Sequence, residues 1–262
     1  MYTLPLMALG GLVAGLVGSM LGLGGGFIIV PMLTVLFGVP MHSAVATGQV
    51  AVMATSSVAA ASYLRARLTH VRLGIVLEIP TTIGAISGAL AGTRLPGPAL
   101  AMIFGFLMIY VGWQMLRGRQ GMDDPTVTVE TCRLHRWPAG LAGSYVGGVL
   151  SGLLGVGGGV VKVPVMCLGM GVPLRIATAT STFMVGITAA AGAFVYYTEG
   201  HLDLLVGGAT VIGVAVGAAL GPRMARRVHT RYLRYGFVVV AAYTAAVMIY
   251  KNLPAVLGYL GV

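Results

Sequence analysis

The segment Gly22-Leu23-Gly24-Gly25-Gly26-Phe27-Ile28-Ile29-Val30-Pro31 returns as Gly155-Val156-Gly157-Gly158-Gly159-Val160-Val161-Lys162-Val163-Pro164, displaced by 133 residues (22 to 155). The same shift carries Gly38-Val39-Pro40 onto Gly171-Val172-Pro173 and Ala46-Thr47 onto Ala179-Thr180. In each copy a glycine triplet (Gly24, Gly25 and Gly26; Gly157, Gly158 and Gly159) precedes a short apolar run. A half-helix starting there begins with unpaired N–H groups and about half a positive charge, which suits an anion. Glycine also lets backbone approach a ligand with no Cβ in the way. The triplets are not nucleotide motifs: no Gly-Lys-Ser/Thr follows, and no strand and acidic partner frame them. For Gly15, Gly18, Gly84, Gly88 and Gly92 the expectation is helix packing, where small residues are favoured in membranes.

Other residues supply candidate chemistry nearby. Lys162 is the only lysine inside an expected membrane segment, and its counterpart in the first copy is Ile29. A charge at bilayer depth faces a cavity or a partner; the alternative is a lysine snorkelling from a helix end. Glu78 is the only acidic residue well inside an expected span. It fits a proton-coupling carboxylate, an ion-pair partner for Lys162, or an interfacial carboxylate paired with Arg72. Thr47-Gly48-Gln49 and Thr180-Ser181-Thr182 occupy equivalent places, where hydroxyl and amide groups can hold oxyanion oxygens without adding charge. The competing role is a hydroxyl bonded back to its own helix. Met166, Cys167 and Met170 offer soft ligands at helical spacing, but core packing accounts for them better. No His/Asp/Glu cluster with metal spacing and no Ser/His/Asp set can be nominated.

The elements that position these residues belong to a membrane. The chain is 57% hydrophobic and 8% charged, against about 25% charged in soluble domains. Charge-free runs at 1–64, 138–161 and 176–198 each exceed the roughly 20 residues that cross a bilayer as helix. The net charge of +10 does not indicate nucleic acid, because the arginines flank apolar segments as cytoplasmic loops do. The first apolar run has no preceding Lys or Arg and reads as a retained segment. Cys132 lies in a polar linker and Cys167 in an apolar run, which argues against a disulfide.

Eight apolar segments run approximately 5–37, 43–64, 73–93, 98–116, 138–170, 174–197, 203–222 and 233–250, the first and fifth broken at the glycines. The domain reading is a first membrane repeat 1–116, a polar cytoplasmic linker 117–137 and a second membrane repeat 138–262. If every segment spans once, the Arg223–Arg234 loop falls outside, against the positive-inside rule. If each broken segment enters and returns on one side, the Arg65–Arg72 turn, the linker and the Arg223–Arg234 loop all fall inside, and Arg94 alone dissents. The expected fold is thus an all-α polytopic membrane protein with two inverted repeats. Each repeat is a re-entrant hairpin plus three transmembrane helices. Broken backbone at membrane depth must be buried in protein or line a wet cavity, so the two breaks mark the expected site at the midplane.

With these motifs the chain resembles the sulfite exporter TauE/SafE family of membrane permeases over nearly its whole length. The carriers are Gly-Leu-Gly-Gly-Gly-Phe at 22–27 with Pro31, Gly-Val-Gly-Gly-Gly-Val-Val-Lys-Val-Pro at 155–164, and Ala-Thr-Ala-Thr-Ser-Thr at 177–182. Thr47-Gly48-Gln49 departs from the Thr-Ser pattern in the first copy. The resemblance implies transport of small sulfur-containing anions such as sulfite or sulfonates, often as an exporter, with no cofactor.

The expected activity is therefore a non-enzymatic secondary transporter in the cell (inner) membrane, crossing it several times. Its substrate-binding residues are Gly24, Gly25, Gly26, Thr47, Gln49, Gly157, Gly158, Gly159, Lys162, Thr180 and Ser181, with Glu78 for proton coupling. Its partners are a small anion, protons as coupling ion and the lipid bilayer, with no nucleic acid; a homo-oligomer stays open. The rivals are a channel-like anion pore and, from another class, a membrane enzyme or assembly factor.

Overall fold

A computed structural model describes residues 3–21, 24–116, 129, 136–225 and 230–259. Most of the 117–137 linker, with Cys132, and Arg226 lie outside the described residues. The described chain is built from helices. In the first unit they are α1 (Thr3–Leu21), α2 (Gly26–Pro31), α3 (Met41–Arg65), α4 (Val71–Arg94) and α5 (Gly97–Leu116). In the second they are α6 (Trp137–Leu154), α7 (Gly159–Pro164), α8 (Leu174–Thr198), α9 (Leu204–Ala225) and α10 (Thr230–Tyr259). Five of them (α3, α4, α5, α8 and α9) are long and apolar enough to cross a membrane, and the chain is a polytopic membrane protein.

The duplicated motif folds the same way twice. Gly24 and Gly157 both sit at φ 79°, and Gly25 and Gly158 follow at positive φ, a region that costs a side chain about 1–2 kcal/mol. The chain reverses there and starts the short helices α2 and α7. Pro31 and Pro164 then end the α-helical pattern, since proline has no N–H to continue it, and each helix runs on as a π-helical turn, Met32–Leu36 and Val165–Gly169. The repeated Gly-Val-Pro closes each hairpin: Val39 N donates to Leu33 O at 3.0 Å, and Val172 N to Met166 O at 2.9 Å. The returning arms lie back along the entering helices. A Cβ on Gly10 would strike Met32, and one on Gly140 would strike Met170. Both hairpins therefore return to the end at which they entered.

The two units interlock. α1 packs along α9 and α6 along α4; α3 packs on α8 and α9, and α4 on α8; α5 packs on α10. Exchanging the units (α1 with α6, α4 with α9, and so on) maps this set of contacts onto itself, as a two-fold axis requires. Chain direction follows from the close approaches. Gln49 touches Gly192, whereas Ser56 touches Gly186 and donates to Thr182 O, so equivalent helices α3 and α8 run antiparallel. Gly105 beside Ile249 and Gly112 beside Ala241 give the same result for α5 and α10. Antiparallel partners place the two-fold perpendicular to the helices.

Glycine makes the swapped helix pairs possible. A Cβ on Gly15 would lie 2.3 Å from Val214 O and one on Gly217 2.0 Å from Leu12 O; Gly84 and Gly148 stand in the same relation to Tyr145 O and Thr81 O, at 2.3 and 2.1 Å. Such contacts bring backbones together where lipid offers no hydrophobic drive for association.

This chain path gathers the arginines. The α3–α4 turn with Arg65, Arg67 and Arg72, the starts of α6, α8 and α10, and the ends of α5 and α9 all lie at one end of the bundle. The opposite end carries Arg94, Glu199, Asp203 and Lys251.

Candidate functional site

The hairpin tips meet at the pseudo-two-fold. A Cβ on Gly26 would lie 2.3 Å from Gly155 O, and Gly24 and Gly157 each face both Val52 and Val185. Val52 and Val185 are themselves equivalent, at 0% and 1% exposure. The junction in this conformation is thus closed by a valine from each unit. A cleft of about 480 Å³ lies between α3 and α8, lined by Ser56, Ser57, Ala60, Phe183 and Gly186 among others, on the arginine-bearing half.

The polar residues nominated from sequence do not form one cluster. Gln49 is fully buried, and its Nε2 donates to Ser151 O at 2.8 Å and Gly152 O at 3.3 Å. The first unit thereby clamps the end of α6, and the amide donor is committed to backbone. Gln49 Oε1, Thr47 Oγ1, Ser151 Oγ and Ser181 Oγ are buried without hydrogen-bond partners. Thr180 Oγ1 accepts from His70 N at 2.9 Å. Thr47 precedes Val52 by five residues, as Thr180 precedes Val185, on antiparallel helices. At 1.5 Å per residue they stand about 15 Å apart along the bundle. One small anion therefore cannot touch both sets in this conformation. Thr182 Oγ1 bonds back to Thr178 O at 2.8 Å.

The charged residues do come together. Lys162, on α7, is 1% exposed, so it is not a snorkelling lysine. Its Nζ donates to Thr188 Oγ1 at 2.7 Å and lies 3.5 Å from Glu78 Oε2. Thr188 Oγ1 donates in turn to Glu78 Oε1 at 2.6 Å, and Thr82 Oγ1 donates to the same oxygen at 3.3 Å. Of the three settings expected for Glu78, the structure pairs it with Lys162 and not with Arg72. Burying two charges requires this mutual attraction and added hydrogen bonds, because desolvation costs several kcal/mol per ion. Thr188 is three residues from Val185, about 4.5 Å along α8, so the network adjoins the junction. The first unit has no such network: its equivalents are Ile29, Thr55 and Val211, and Thr55 bonds back to Ala51 O.

Sequence reasoning did not reach Thr188, Thr82, Ser151 or the valine pair. An apolar helix with scattered threonines carries no mark of which hydroxyl meets a charge from another helix. Met166, Cys167 and Met170 pack in an apolar cluster with Leu73, Leu77 and Ile176.

A family model for the sulfite exporter TauE/SafE family matches residues 7–248. Among curated proteins, the chain is 27% identical to the "Probable membrane transporter protein YunE" of Bacillus subtilis, over 93% of this chain and 96% of that one. It is 28% identical to a "Probable membrane transporter protein" of Xylella fastidiosa, covering 87% of this chain and 89% of the relative. It is 25% identical to the "Probable membrane transporter protein MJ0441" of Methanocaldococcus jannaschii, covering 88% and 90%. No solved structure gives a significant match. The duplicated glycine-broken hairpins, the interlocked helices and a family match across nearly the full length agree: the chain belongs to the sulfite exporter TauE/SafE family.

Proposed function

We propose that this protein is a secondary transporter that moves a small sulfur-containing anion, such as sulfite or a sulfonate, across the cell (inner) membrane by alternating access. One observation carries the proposal: two glycine-tipped broken hairpins meet tip to tip between antiparallel equivalent helices, with one buried lysine beside them. Broken helices at an inverted-repeat interface are where secondary transporters bind substrate. The positive-inside rule makes the arginine-bearing end cytoplasmic, so the α3–α8 cleft is the approach for an anion leaving the cell. The family and the relatives' names support a transporter in preference to an enzyme. The closed valine junction favours alternating access over an open pore.

In this scheme α3 and α8 shift so that Val52 and Val185 uncover the glycines. The anion then meets backbone N–H groups of Gly24, Gly25 and Gly26 or of Gly157, Gly158 and Gly159, together with Lys162. Thr47, with Gln49 once the shift of α3 frees its amide from Ser151 O and Gly152 O, serves the opening on one side, and Thr180 and Ser181 the opening on the other. Glu78 is the proton-coupling carboxylate, since its protonation releases Lys162.

Uptake of labelled sulfite and simple sulfonates into proteoliposomes, wild type beside Lys162→Ala, tests this. Saturable flux that folded Lys162→Ala lacks is the expected result. No flux of any sulfur anion under either pH gradient refutes the substrate assignment.

A further inference from the structure

Lys162 and Glu78 are the buried charged side chains among the described residues, and together they sum to zero. A neutral pair exerts little pull on an anion, and a net charge inside the bilayer is costly. For a singly charged anion to take Lys162 as its partner, Glu78 must cease to be an anion. A proton on its carboxylate does this without moving a side chain.

Thr188 is placed to accommodate that change. With Glu78 ionised, the threonine hydroxyl donates to Oε1 and accepts from Lys162 Nζ. With the proton on Oε1, Glu78 becomes a donor there, so Thr188 accepts from it and needs another acceptor for its own proton. Met184 O lies 3.1 Å from Thr188 Oγ1 and supplies one. The hydroxyl can therefore reverse its role toward Glu78 with no unsatisfied group, and Lys162 is left able to turn to a ligand.

Among the described residues the ion pair of Glu78 is with Lys162; Cys167, on the π-helical turn after α7, packs in the apolar cluster with Leu73 and Leu77. Thr82 is the neighbour of Glu78 on α4, Lys162 comes from α7 and Thr188 from α8. α6 contributes Gly148 against Thr81, and its Tyr145 lies by Ser87, about 13 Å along α4 from Glu78. On α8, Arg175 and Tyr196 are about 20 Å and 12 Å from Thr188 along the helix. The equivalent site of the first unit (Ile29, Thr55 and Val211) has no ionisable side chain.

We propose that the site carries one proton with each singly charged anion, the proton seated on Glu78, so that the loaded and empty protein hold the same charge in the membrane. This rests on the reading of the chain as an anion transporter with its site at the hairpin junction. The proton comes from the aqueous phase and adds to a carboxylate oxygen of Glu78. It leaves the same oxygen when the anion departs and the Lys162–Glu78 pair re-forms.

Calorimetric titration of the full chain in detergent with methanesulfonate, whose charge stays −1 over the working pH range, tests it. Titrations in two buffers of different ionisation heat read the protons taken up. The wild type and Thr188→Ser take up one proton per anion bound, and Glu78→Gln takes up none. Wild-type binding without proton uptake overturns the coupling while the anion site stands. No wild-type binding overturns the anion site and the coupling with it. Should Glu78→Gln not fold, the wild type in proteoliposomes decides: methanesulfonate influx is unchanged when a potassium–valinomycin potential is reversed. Influx that follows the voltage overturns the proposal.

Discussion

Replacing Lys162 by Ile and Glu78 by Val gives the second unit the residues that the first unit carries at the equivalent positions, Ile29 and Val211. Each single change leaves one charge at 7% side-chain exposure or less without its partner. Removing one member of such a buried pair costs about 3–5 kcal/mol. At roughly 2–4 °C per kcal/mol for a chain of this size, each single variant melts roughly 10 °C below the wild type. The double variant removes both charges. Thr188 keeps Met184 O as acceptor, Thr82 loses only a long bond at a partly buried position, and replacing a buried pair by apolar residues is about neutral or stabilising. The double-mutant cycle should therefore close with a coupling of about 3 kcal/mol or more, well beyond the additivity of independent sites. Thermal unfolding of purified protein in detergent, followed by tryptophan fluorescence, measures it. The same double variant, folded and stable, should lack anion flux in proteoliposomes, which separates the pair's role in transport from its role in stability. A double variant that melts below both singles, or a single Lys162→Ile variant within about 1 kcal/mol of wild type, refutes the pairing.

Further outcomes follow from the same contacts. Gly157→Ala places a Cβ 2.6 Å from Val185 Cγ1 at φ 79°; the backbone conformation alone costs about 1–2 kcal/mol, and Gly24→Ala, whose nearest contact is 3.0 Å, should melt higher than Gly157→Ala. Gln49→Leu strips Ser151 O of its side-chain donor while the backbone donor Gly155 N stays, and should cost about 0.5–1.5 kcal/mol, read as a lower melting temperature and faster hydrogen exchange at the end of α6. His201 stacks on His42 with ring centroids 4.8 Å apart; burial first, and then the His42 charge, hold its pKa below the usual value, with Glu199 opposing. Its neutral form is the one the folded loop prefers, so docking of the 199–203 loop is complete above about pH 6.5 and weakens as pH falls below that. Hydrogen exchange at Gly200 that does not quicken between neutral and acidic pH, relative to His201→Phe, would contradict this. Cysteines placed at Glu199 and Arg67 should label from opposite sides of the membrane, because the two residues sit at opposite ends of the bundle; labelling from one side sinks the re-entrant topology.

The amino-acid sequence determined the class of molecule and the place where its backbone breaks. Low charge and long apolar runs admit only a membrane environment. The glycine triplets with Pro31 and Pro164 dictate a reversal and a half-helix locally, because positive φ and a missing N–H are properties of those residues themselves. The helix limits 41–65, 71–94, 97–116 and 174–198 lie within a few residues of the apolar segments for the same reason. What only the tertiary structure decided are contacts between helices distant in the chain. The Gln49 clamp on Ser151 spans 102 residues, and the Thr188–Glu78 bond spans 110. Both cross between the two interlocked units, where side chains are chosen by how helices dock and not by local pattern. Glu78 illustrates the difference. Its sequence neighbourhood offered Arg72 as readily as Lys162, and the packing of α7 and α8 against α4 selected Lys162, because a carboxylate enclosed there is stable only with a charge and hydroxyls brought to it.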